Sequence, residues 1–148
     1  MQTPQELART ASVKWIGDVA KGHGAITTGS GKVDATYSFG TRFSGDPGTN
    51  PEELLAASHA SCFTMALSLA LTRAGHPPAS IETTATVHLR RTDTGFEVPK
   101  IELVTTAVAP GLTDGDFQTL AGQAKENCPI SLALKAVPIS LQATLASV

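Results

Sequence analysis

The sequence predicts an α+β fold, with antiparallel sheets set against long helices, and three observations carry that prediction. Apolar residues alternate with period two in strand-like runs that cluster as three, then two, then one. Two long helical segments separate those clusters, so strands and helices do not alternate one for one as they do in a parallel fold. Gly and Pro, 22 residues of 148, fall mostly between the periodic segments and mark where each ends.

Met1–Leu7 is polar and is expected to fray. Residues 11–16 alternate, with Val13 and Trp15 on one face, and predict a strand. Gly17-Asp18 and Lys21-Gly22 bound a turn. His23–Thr28 is a second, β-prone run closed by Gly29-Ser30-Gly31. Val33, Ala35, Tyr37 and Phe39 then fall at every second position and predict a third strand. Short Gly-rich connections make these three an antiparallel meander. Residues 40–49 read as a loop by composition, and they carry Arg42.

The central helix follows. Asn50 is a capping residue, Pro51 suits the first helical position, and Glu52 and Glu53 set negative charge at the positive end of the helix dipole. No charge interrupts Leu54–Leu71, and Gly75, Pro77 and Pro78 stop the helix. Such a helix has no broad wet face, so most of its circumference is expected to touch protein. Its alanines and serines suit the close approach of a second copy of itself. At about 18 residues the uncharged run is at the lower edge of a membrane span. However, Ser58, His59, Ser61, Thr64 and Ser68 lie inside it and no aromatic belt or basic flank frames it, so a buried helix is the reading adopted.

Residues 80–91 and 96–109 predict two long strands joined at Arg91–Gly95 into a hairpin, with Ile81, Thr83, Ala85 and Val87 facing one way and Ile101, Leu103, Thr105 and Ala107 in phase opposite. Thr113 or Asp114 caps a helix to about Asn127, with Phe117, Leu120, Ala121 and Ala124 at helical spacing. Pro129 opens a short helix to Leu134 and leaves Cys128 at its N-cap. A final strand alternates over Val137–Leu145, and Pro138 near its start marks a strand beginning or an edge.

At 148 residues the chain is long enough for a single domain with a substantial core, taken here as 1–148. A net charge of −2, a sequence pI near 6.0 and the lack of a basic stripe argue against a nucleic-acid partner. The polar N-terminus has no signal-peptide pattern, so the cytoplasm is the expected compartment and two cysteines there are kept reduced.

Chemistry is concentrated at few positions. Cys62, midway along the central helix, is either a small buried hydrophobe or a redox thiol; Cys128 is either a capping residue or its partner. Cys62 lies too far from the helix start to feel the dipole, so a reactive thiolate there needs a nearby cation. Arg42 is the candidate, unless it is a solvated loop arginine. Glu52 or Glu53 can orient its guanidinium by a bidentate pair. Glu52 and Cys62 stand ten residues apart, about 15 Å of helix rise. They therefore cannot share a site within one straight helix, whereas two helices crossing antiparallel in a dimer can bring Glu52 and Arg42 of one chain to Cys62 of the other. His59, one turn before Cys62, raises a Cys–His nucleophile or half a metal site. The remaining His23, His76 and His88 are scattered, and neither an orienting acid nor an oxyanion hole can be placed.

Thr41–Gly45, Gly48–Leu54, Ala57–Ser68 with its Ser58-His59-Ala60-Ser61-Cys62-Phe63 core, and Ala124–Ser131 with Asn127-Cys128-Pro129-Ile130-Ser131 together resemble the OsmC/Ohr family of thiol peroxidases over essentially the whole chain. The arginine just before the helix favours the osmotically inducible OsmC branch. The resemblance implies an intertwined homodimer with antiparallel sheets wrapped around long central helices and two sites at the subunit interface. It implies reduction of organic hydroperoxides, and more weakly of hydrogen peroxide, with no cofactor and no metal. Carried over by position, Cys62 is the peroxidatic cysteine, Cys128 the resolving cysteine, Arg42 the activating arginine and Glu52 its carboxylate partner. A dithiol, a lipoylated protein or dihydrolipoamide, is the implied reductant. Two other readings remain: a stress-associated binding protein that keeps the fold without catalysis, and a cysteine hydrolase using His59.

Overall fold

The computed structural model describes Thr3 and residues 5–147, so part of the frayed start expected for Met1–Leu7 lies outside the described residues. The chain forms two compact units, one running to Pro51 and one from Glu52 onward.

In the first unit, β1 (Ala11–Ile16), β2 (His23–Thr28) and β3 (Asp34–Tyr37) make the expected antiparallel meander in the order β1-β2-β3. Val13 pairs with Ile26, which pairs with Ala35, so one apolar row crosses all three strands. Gly17 and Gly31 take φ of +94° and +71° in the two connections, where a side chain would be strained. Ile26 is 7% exposed but Val13 is 55% exposed, so burial along the row is concentrated on the middle strand. Residues 40–49 are not wholly a loop. A five-residue helix, α1 (Phe39–Phe43), opens them. Ser38 caps it by accepting from the Thr41 amide while the Thr41 hydroxyl accepts from the Ser38 amide. This reciprocal box nucleates a turn that composition alone reads as irregular.

The second unit is built on α2 (Pro51–Arg73), as long as predicted to within two residues. Only one stripe of it is buried: His59, Phe63, Leu67 and Leu71, four residues apart. Met65 is 76% and Leu69 50% exposed. The expectation that most of the helix circumference touches protein is therefore not met within the chain, because the strands and α3 reach one side of the helix only. By length and composition α2 could cross a membrane. Its buried stripe nevertheless joins a cluster with Leu103, Ala107, Phe117, Ala121 and Cys128, and Thr64 Oγ1 donates to Thr83 Oγ1 at 2.8 Å, which makes it a core helix.

The predicted long hairpin is present but broken in two. β4 (Ser80–Val87) pairs antiparallel with β7 (Ile101–Val108), and a separate tip pairs β5 (Arg90–Thr92) with β6 (Gly95–Glu97). The break falls where Pro99 has no amide to donate to a ladder. The buried faces are those predicted: Leu103, Thr105 and Ala107 on β7 are at most 1% exposed. α3 (Asp114–Asn127), capped by Thr113, and α4 (Pro129–Ala133) then lead to β8 (Ile139–Leu145). One expectation is corrected here. β8 pairs parallel with β7, giving the order β4-β7-β8, so the sheet is mixed rather than purely antiparallel. The α3–α4 segment supplies the crossover that a parallel pair requires. β8 occupies an edge, as Pro138 before it predicted, and the Pro138 carbonyl accepts from the Ile101 amide at 2.9 Å.

Candidate active site

α2 and the α3–α4 junction bring the two thiols together. Cys62 sits on α2 one turn after His59, and Cys128 is both the C-cap of α3 and the N-cap of α4. Phe63, Phe117, Ala121 and Ala124 pack around this junction and fix α3 on α2. Cys128 is completely buried, Cys62 half-buried, and both are free thiols.

Cys62 opens onto a cleft of about 800 Å³ between α2 and α3. Its walls are chiefly apolar, with Met65, Leu69 and Ala70 from α2, Leu120 from α3 and Pro129, while Arg73, Gln123 and Asn127 bring polar groups. Met65 lines the cleft, whereas Phe63, the residue after Cys62, is sealed in the core.

The surroundings treat the two sulfurs differently. Burial pushes the Cys62 thiol up, and contact with Cys128 adds to this against an opposing interaction with the Ile130 backbone. Burial also resists ionisation of Cys128. It is outweighed by the Cys62 thiol, by the Ser131 amide and hydroxyl and by the Ile130 amide, and the net direction is downward. The Cys128 side chain makes no formed capping bond to the first turn of α4, so these groups favour its anion by proximity. Acidity thus favours Cys128 and access favours Cys62. A molecule arriving by the cleft meets Cys62 and not the sealed Cys128.

His59 does not serve Cys62. Its Nε2 lies 2.7 Å from Ser131 Oγ, and its Nδ1 has no hydrogen-bond partner. Burial lowers its pKa and keeps the ring neutral. Among the described residues no three His, Cys, Asp or Glu side chains gather as a metal set. Ser131 entered the sequence reading only as the last residue of a motif. The signal for it was its place three residues after Cys128 at a helix start, which puts both on one face.

The other predicted residues stand as follows. Arg42 lies in the last turn of α1, its guanidinium 5.3 Å from the Phe43 ring centroid, beside a cleft of about 220 Å³ edged by Trp15 and Tyr37. Glu52 and Glu53 occupy the first turn of α2. α2 is continuous from Glu52 to Cys62, so the roughly 15 Å of rise between them is real.

Fold and site together define an α+β protein with two thiols in contact, one on the wall of an apolar cleft and one sealed behind it. The family described as OsmC-like protein matches residues 43–142. The chain is 48% identical over 131 residues to Peroxiredoxin OsmC of Escherichia coli K12, covering 88% of this chain and 92% of that one. It is 32% identical over 114 residues to organic hydroperoxide resistance protein-like 1 of Staphylococcus saprophyticus, covering 76% and 80%. The crystal structure of the organic hydroperoxide resistance protein OhrB of Bacillus subtilis superposes with a TM-score of 0.66 at 28% identity, covering 93% of this chain and 98% of that one. This chain belongs to the OsmC-like family.

Proposed function

We propose that this protein is a thiol-dependent peroxidase that reduces organic hydroperoxides, and more weakly hydrogen peroxide, to alcohols through a Cys62 sulfenic acid and a Cys62–Cys128 disulfide. The observation that carries this reading is the pairing of a cleft-facing thiol with a sealed one in contact with it. The names of the relatives, a peroxiredoxin and hydroperoxide resistance proteins, point the same way. The Cys62 thiolate attacks one peroxide oxygen, the O–O bond breaks, and the alkoxide leaves and takes a proton to become an alcohol. Sulfur is now a sulfenic acid, and Cys128 condenses with it to a disulfide and water. A dithiol reductant returns both thiols. The apolar cleft suits a peroxide bearing a hydrocarbon group.

Within the second unit the surroundings of Cys62 disfavour its anion. A cation from elsewhere must offset this, and Arg42 is the one we assign, oriented by Glu52. The length of α2 between Glu52 and Cys62 favours a dimer in which one chain supplies Arg42 and Glu52 to the other's Cys62. The exposed Met65 and Leu69 on α2 support a helix-to-helix contact between two copies, with both units of each chain acting as one domain. The cytoplasm is the compartment in which both cysteines would rest as thiols. The reductant is a dithiol of the lipoyl type.

The test is consumption of cumene hydroperoxide by wild type, Cys62→Ser and Cys128→Ser with dihydrolipoamide or thioredoxin as reductant. The reading expects turnover by wild type alone. Ester cleavage surviving in Cys128→Ser would favour a hydrolase, and no peroxide loss with any reductant would leave a binding protein.

A further inference from the structure

His59 is fully buried and neutral, and the chemistry proposed above gives it no task. Its position is specific. His59 stands one turn before Cys62 on α2, and Ser131 one turn after Cys128, so His59 meets Ser131 beside the place where Cys62 meets Cys128. His59 Nε2 and Ser131 Oγ are 2.7 Å apart, joining residues 72 positions apart in the chain. Ser131 is 6% exposed and Cys128 fully buried, so no water competes freely for either.

The orphaned Nδ1 decides the direction of this hydrogen bond. With the proton on Nδ1, a buried N–H would go unpaired; with the proton on Nε2, only a lone pair does, which costs less. Nε2–H therefore donates to Ser131 Oγ. The serine hydroxyl hydrogen is then turned away from His59 and is available to the Cys128 sulfur, whose anion that hydroxyl favours.

We propose that the His59–Ser131 hydrogen bond orients the Ser131 hydroxyl beside the Cys128 sulfur and so readies Cys128 as the resolving nucleophile, both acting as positioning residues in the second half of the cycle. The proposal rests on the peroxidase reading. In that step Cys128 sulfur attacks the Cys62 sulfur of the sulfenic acid. The S–S bond forms, the S–O bond breaks and its electron pair leaves with oxygen, and the Cys128 proton goes with it as water. The Cys62 sulfur is reduced from the sulfenic level and the Cys128 sulfur is oxidised. The Ser131 hydroxyl stabilises the charge on Cys128 as it attacks, and His59 keeps that hydroxyl aimed.

Rapid mixing of the reduced protein with one equivalent of cumene hydroperoxide, quenched into dimedone at successive times, gives the rates of sulfenic acid formation and loss. Ser131→Ala is expected to lower the ratio of resolution to oxidation roughly tenfold to a hundredfold, the weight of a hydrogen bond to a charged group. Ser131→Thr restores the ratio because the hydroxyl returns. His59→Gln keeps an N–H donor near the Nε2 position and is expected to resolve close to the wild-type ratio, whereas His59→Leu falls as Ser131→Ala does. Circular dichroism melts of each variant check that the fold is retained, and the serine and histidine pairs test the two residues independently. A wild-type ratio in folded Ser131→Ala or His59→Leu would overturn the proposal, as would a His59→Gln as slow as His59→Leu. Wild type that forms neither sulfenic acid nor disulfide would sink the peroxidase reading instead.

Discussion

Replacing Arg42 with methionine removes the guanidinium while keeping most of the aliphatic stem. The size of the effect follows from the surroundings of Cys62. Burial and the neighbouring thiol push its pKa above the ordinary thiol value. Even an unshifted thiol near 8.5 is only about 3% ionised at pH 7. If Arg42 converts that minority into the dominant form, losing it lowers the reactive population by at least roughly 30-fold. In the proposed role the guanidinium would also face charge that develops on the peroxide oxygens, and removing one such group typically costs a further 10²–10³ in rate. Arg42→Met should therefore slow sulfenic acid formation by two orders of magnitude or more. Stopped-flow mixing with cumene hydroperoxide reads the rate, and thiolate absorbance against pH reads the ionisation. A variant that oxidises within a fewfold of wild type with an unmoved thiolate titration would refute the role of Arg42.

Cys128→Ser should still oxidise at Cys62 but stop at the sulfenic acid, so one equivalent of peroxide should yield a dimedone adduct on Cys62 by mass spectrometry; no adduct would remove Cys128 from the resolving role. Leu69→Glu places a charge on the half-exposed apolar face of α2; with about 1.5–3 kcal/mol lost per buried leucine on each of two copies, sedimentation should shift from dimer to monomer. A wild type that already sediments as a monomer, or a variant of unchanged mass, would remove this face of α2 from any contact between copies. Buried His59 gives stability a pH dependence. The unfolded chain takes up a proton near pH 6.5 while the folded chain resists it, so acid favours unfolding and stability falls as pH drops below that value. Denaturant titrations between pH 7 and pH 5 should show His59→Gln losing less stability than wild type, by up to about 1.4 kcal/mol per pH unit; parallel curves would mean that the folded protein protonates His59 freely.

What could be read in the sequence was local, and what escaped it was not. The caps and breakers around α2 lie within a few residues of its ends, so its span was legible from Asn50 to Gly75. Alternation over Ser80–Val87 and Ile101–Val108 told which side chains face inward, because a strand's two faces are set by its own sequence. Alternation is silent about which strand lies alongside, and the parallel partnership of β8 with β7 therefore went unread. The α1 turn was hidden because its capping box uses Thr41 at the third position, where glutamate or glutamine is the usual sign. Pro99 was visible, but its effect on a ladder depends on whether its amide would have faced a neighbour. The two cysteines were legible as candidates, and their contact was expected only through the family resemblance, since it depends on how α3 packs on α2. The same holds for His59 and Ser131. Each is ordinary in its own segment, and only the fold makes them neighbours.

The central claim is that Cys62 and Cys128 are two halves of one redox couple. Its most direct measurement is the mass and free-thiol count of the reduced protein after one equivalent of cumene hydroperoxide. The account predicts loss of both thiols and of two hydrogens, with a peptide pair joining Cys62 to Cys128. Two thiols still titratable beside unconsumed peroxide would contradict it.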